Sequence, residues 1–142
     1  MSVIRQGLRL KINKIDPDVG IAFKNFAKWL RGKYDFPIRV PVYLYDRKFV
    51  IGRDKESYVS IFFAPYSIEV EPYIKIATGD YFELIEEFGK NDALFSLLYS
   101  LAIEVLNYQK WVKDNENFDT YDGNDEADEL LSEYVAEVKA PL

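Results

Sequence analysis

The chain has 142 residues, 49% of them hydrophobic and 16% aromatic, enough apolar surface for a folded domain and too much for a disordered chain. It contains no cysteine and no histidine, which removes disulfides, thiolate and imidazole zinc sites, and Ser–His or Cys–His catalysis from within the chain. The formal charge of −6 argues against a partner gripped through its phosphates, so direct nucleic-acid binding is not expected.

The N-terminal residues alternate charged and apolar side chains and lack the apolar core of a signal peptide. The longest apolar stretch, Ala93 to Leu106, is interrupted by Glu104 and too short to cross a bilayer. A single cytoplasmic domain spanning residues 1–142, with no membrane association, is therefore the expectation. The charge is unevenly spread: between Asp114 and Val138 every charged residue is Asp or Glu, and the remainder is mildly basic.

In chain order, Val3 to Ile12 alternates as a strand does, with Gly7 weakening or bulging it. Asp16-Pro17-Asp18 marks a helix start, and Val19, Phe23, Phe26 and Leu30 continue it at helical spacing to a stop at Gly32. Pro37 to Tyr45 reads as a strand with Pro41 at an edge or bulge, which Lys48 to Ile51 extends after a turn. Tyr58 to Ala64 reads as a buried strand, and Pro72 to Ala77 as a half-exposed one closed by Thr78-Gly79-Asp80. Tyr81 to Phe88 predicts a short helix stopped by Gly89. A longer helix, capped by Asn91 or Asp92, runs to about Val112 with apolar residues on nearly its whole circumference, as in the centre of a domain. A last amphipathic helix covers Asp125 to Lys139. Strands followed by helices, without βαβ alternation, indicate an α+β fold with a small, twisted, mostly antiparallel sheet on a buried central helix.

That central helix contains Ser100-Leu101-Ala102-Ile103-Glu104-Val105-Leu106-Asn107-Tyr108-Gln109-Lys110-Trp111. It resembles the active-site helix of small bacterial and phage-type zincin-like metallopeptidases of the gluzincin kind, in which two histidines at i and i+4 bind zinc and the glutamate between them is the general base. Under that resemblance Ile103 and Asn107 stand at the ligand positions and Glu104 at the base. Glu126, in Asn124-Asp125-Glu126-Ala127-Asp128, stands where a following helix supplies a third ligand. Pro72 to Ala77, with Tyr73 and Lys75, would match the strand that borders the cleft and pairs with extended substrate. The likeness runs over roughly residues 17–138. It implies a zincin-like fold with a degenerate zinc site: isoleucine offers no lone pair and asparagine only a neutral amide oxygen, so neither metal nor other cofactor is expected. Periodicity alone is equally met by a plain core helix with Glu104 solvated or paired.

The reading that follows is an inactive metallopeptidase-like protein that binds a protein or peptide partner, with Glu104 as a vestigial base. Ile103, Glu104, Asn107, Tyr108, Glu126, Tyr73 and Lys75 are its cleft residues, and Glu104 needs a partner such as Asn107, Tyr108 or water. Two alternatives stand beside it. The acidic C-terminal stretch, with Phe118 and Tyr121, could mimic nucleic-acid phosphates toward a basic host protein. Glu104 with Glu126 or Tyr108 could serve as acid and base of a zinc-independent hydrolase.

Overall fold

The elements, in a computed structural model that describes residues 5–119 and 124–142, are β1 (Leu8–Asn13), α1 (Pro17–Lys33), β2 (Val40–Tyr45), β3 (Val50–Ile51), β4 (Ser57–Tyr58), β5 (Ser60–Phe63), β6 (Tyr73–Ala77), α2 (Tyr81–Phe88), α3 (Lys90–Lys113) and α4 (Asn124–Val138). The class is α+β. Val3 and Ile4, expected in the first strand, and Tyr121 lie outside the described residues.

Local chemistry sets the helix ends. Asp16 Oδ1 accepts the Asp18 amide at 2.9 Å and Pro17 occupies the first turn, where its missing N–H costs nothing. Gly32 does not stop α1; the helix runs one residue further and Tyr34 leaves in an extended conformation. Gly89, at φ +86°, ends α2 and at once precedes α3, so the helix starts at Lys90 rather than behind Asn91 or Asp92.

The four-stranded sheet has the order β1-β2-β6-β5. β1 with β2 and β2 with β6 run parallel, and only β5 with β6 is antiparallel. The expected mostly antiparallel sheet is thus corrected to a mixed one. A parallel β1–β2 pair requires a crossover, which α1 supplies, so a βαβ unit exists where none was expected; alternation within a strand carries no information about the direction of its neighbour.

Further expectations change as well. Pro41 lies in an internal strand. Val40 donates to the Gly7 carbonyl on the β1 side, so the donor that proline lacks falls on the β6 side, where pairing begins only at Val42. Tyr73–Ala77 forms an internal strand, whereas residues 60–63, expected to be buried, form the half-buried edge. Lys48 to Ile51 does not extend β2; Val50 and Ile51 pair with β4 in a separate hairpin.

One face of the sheet packs on helices through Leu8, Val40, Val42, Leu44, Ile74 and Ile76, all fully buried. The other face carries the half-buried Tyr43, Tyr73 and Lys75. α3 is buried along most of its length and is tied to the sheet side by polar bonds. The Tyr108 hydroxyl accepts from the Ile38 amide at 3.0 Å and donates to the Ile38 carbonyl, and Trp111 Nε1 donates to the Pro65 carbonyl at 2.8 Å. α4 packs on α3 and α1, with Tyr134 against Phe26 and Trp29 at ring-centroid distances of 4.6 and 5.1 Å. Among the described residues no helix is long and apolar enough to cross a membrane.

Candidate functional site

A cleft of about 410 Å³ opens between the β5 edge, α3 and the turn joining β3 to β4. Because side chains alternate along a strand, β5 presents Ser60 and Phe62 to α3 and Ile61 and Phe63 to the opposite face. Ser60 Oγ donates to Glu104 Oε2 at 2.8 Å. Phe62 meets Tyr108, Trp111 and Phe118 edge-on, at centroid distances of 6.3, 6.0 and 5.8 Å. On the other face Phe63 stacks on Tyr73 at 4.9 Å, and the Arg53 guanidinium lies over Phe63 at 4.7 Å.

Glu104 sits at the floor, 5% exposed. Its second oxygen, Oε1, accepts from Asn107 Nδ2 at 3.0 Å, one turn further along α3. Burial pushes its carboxyl above the ordinary value, and the bonds from Asn107 and Ser60 act in the opposite direction without cancelling that effect. Near the mouth, Asp54 Oδ1 accepts the Glu56 amide at 2.9 Å while Oδ2 accepts the Tyr58 hydroxyl, and these bonds hold the Asp54 carboxyl below its ordinary value.

The residues singled out from the sequence separate in space. Glu104, Asn107 and Tyr73 line the cleft. Of the partners expected for Glu104, Asn107 is one that bonds it; Tyr108, one residue on, turns instead to Ile38, and burial pushes its hydroxyl up to about 12. Ile103 packs against the core and Lys75 lies over the Tyr73 ring at 5.2 Å, neither lining the cleft. Glu126 faces Lys110 at 3.9 Å on exposed surface, also away from the cleft. A pairing of Glu104 with Glu126 or Tyr108 as acid and base is therefore not assembled. Phe118, expected on an acidic recognition surface, forms part of the cleft wall.

A zinc ion does not fit these residues. Ile103 has no donor atom, the Asn107 amide is engaged with Glu104, and Glu126 stands elsewhere. Among the described residues no group of three or more acidic side chains could hold a metal ion. What the sequence reading missed is Ser60, whose only signal was a lone hydroxyl in an apolar strand.

The β5 backbone completes the site. The Ala77 amide donates to the directly opposed Val59 carbonyl at 2.8 Å, and by alternation from that bond residues 61 and 63 turn their backbone groups to β6. The N–H and C=O groups of Ser60 and Phe62 consequently face the open edge, where no described strand pairs with them. No family model, curated protein or solved structure matches this chain.

Proposed function

We propose that the protein is a metallopeptidase-like pseudoenzyme that binds an extended segment of a protein partner by adding it as a strand to the edge of β5 that no described strand pairs with. The observation that carries this reading is the coincidence of an antiparallel edge that no described strand pairs with and a cleft that wraps that edge, with Ser60, Phe62 and Glu104 on its α3 side. Main-chain bonds to Ser60 and Phe62 supply affinity, and the cleft supplies side-chain selectivity. The resemblance assigns the cleft-bordering edge to residues 72–77, whose strand β6 lies inside the sheet; its edge role passes to β5, while Ile103 and Asn107 leave no set of zinc ligands.

The acidic surface is the weaker reading. Glu133 Oε1 is bonded to Lys33 Nζ at 2.7 Å and Glu137 Oε2 to Trp29 Nε1 at 2.7 Å, so these carboxylates fasten α4 to α1.

Peptides selected on the intact chain from a random display library test the proposal when resynthesised with N-methyl groups on alternate residues. In a strand added to one edge, only every second amide faces β5. Methylation of one set should abolish binding and methylation of the other should leave it nearly intact. Equal tolerance of both sets would overturn strand addition.

A further inference from the structure

The geometry points to a basic side chain, Lys or Arg, as the residue that the added strand places in the cleft opposite Ser60, with an apolar residue two positions away on the same face. This rests on strand addition at β5 and names the chemistry that the site selects.

Residues directly opposed across a strand pair share a face of the sheet. Ser60 turns its side chain toward α3 and reaches Glu104 Oε2 at 2.8 Å. A partner residue opposed to Ser60 therefore directs its side chain to the same carboxylate. The next partner residue on that face opposes Phe62 and meets Phe62 and Phe118, which stand 5.8 Å apart by centroid. Basic-x-apolar is the pattern that both subsites accept, read in whichever direction the added strand runs.

The charge of the site selects the cation. Glu104 is a buried carboxylate whose bonds come from two neutral donors, Ser60 Oγ and Asn107 Nδ2. Each carboxylate oxygen accepts one of these bonds and keeps further acceptor capacity. The other titratable groups lining the cleft are Arg53, Asp54 and Tyr58 from the β3–β4 hairpin and Tyr73 from β6. Arg53 lies over Phe63, on the face of the sheet turned away from α3, so the one cationic side chain of the lining is held apart from Glu104. Asp54 adds a second negative charge at the mouth. The cavity, about 410 Å³ over both faces of the β5 edge, has Ser60, Phe62, Glu104, Asn107 and Phe118 on its α3 side, where the basic side chain and its apolar neighbour would enter. Burial keeps the Glu104 carboxyl reluctant to ionise, and an incoming ammonium or guanidinium stabilises its charged form. Binding of a basic peptide should release a proton where Glu104 is still protonated in the free protein, and affinity should rise with pH across the titration of Glu104.

Short random peptides displayed on phage, selected in parallel on the wild-type chain and on Glu104→Gln, test this. We expect Lys or Arg at one fixed position in the wild-type set, an apolar residue two away, and loss of the basic preference in the Glu104→Gln set. Replacing that Lys or Arg by norleucine should weaken binding to the wild-type protein by about thirtyfold or more, and the loss should shrink as pH falls. The norleucine comparison uses only the wild-type chain, so it stands even where Glu104→Gln fails to fold, and separate Lys and Arg peptides show which cation is preferred. Peptides that bind with one-sided N-methyl sensitivity but without a basic preference would overturn this inference and leave strand addition standing. Peptides that bind without one-sided N-methyl sensitivity would overturn both.

Discussion

Glu104 gives the folded state a pH-dependent weakness. Its carboxyl lies above the ordinary value of 4.5 chiefly because it is buried, the bonds from Asn107 and Ser60 offsetting only part of the effect. Between 4.5 and that raised value the folded chain holds more protons than the unfolded chain, so stability falls as pH rises through the window. Glu104→Gln removes this loss while keeping an acceptor for Ser60. Urea midpoints of the variant should rise relative to wild type as pH increases from 4.5 toward neutrality, and parallel pH profiles would contradict the assignment. Tyr108 makes a different contribution. Tyr108→Phe leaves the Ile38 amide and carbonyl without their buried partner and should cost about 1–3 kcal/mol in denaturant titrations. The sequence places Asn107, one helical turn from Glu104, among three possible partners beside Tyr108 and water, and the fold selects it. Ser60 was not readable, because its role depends on a residue 44 positions away that only the tertiary fold brings near.

At the scale of elements, the helices were legible where punctuation is local: Pro17 behind Asp16 opens α1, and Gly89 at φ +86° closes α2. The strands were legible as strands but not as neighbours. Nothing in Tyr73–Ala77 or Ser60–Phe63 states which lies at the edge, since that is decided by the parallel pairing of β6 with β2. By the same pairing Ile74 lies in the middle of the sheet, and Ile74→Pro would damage it there. The attachment of α4 offers a test of which contacts matter at this scale. Tyr134 is buried against Phe26 and Trp29, whereas the Lys33–Glu133 bridge is largely exposed. Tyr134→Ala should cost about 3–5 kcal/mol by thermal or chemical denaturation, as other large aromatic truncations do. Glu133→Gln should cost under about 1 kcal/mol. A reversal of that order would mean that charge rather than packing holds α4.

For the whole molecule, a chain without His or Cys, with Ile103 and Asn107 one turn apart on α3, offers no imidazole or thiolate ligand for zinc. Under the function proposed here, the scaffold acts through β5 beside that helix, by main-chain pairing along an edge and side-chain selection over Glu104. Amide hydrogen exchange, followed by NMR on the labelled chain with and without a selected peptide, reads that pairing directly. In the free protein the Ile61 and Phe63 amides should already be protected by β6, and those of Ser60 and Phe62 should exchange faster. Saturating peptide should slow Ser60 and Phe62 by about a hundredfold or more, the protection expected of newly formed ladder bonds. Binding that leaves the Ser60 and Phe62 amides exchanging as in the free protein would contradict strand addition at β5.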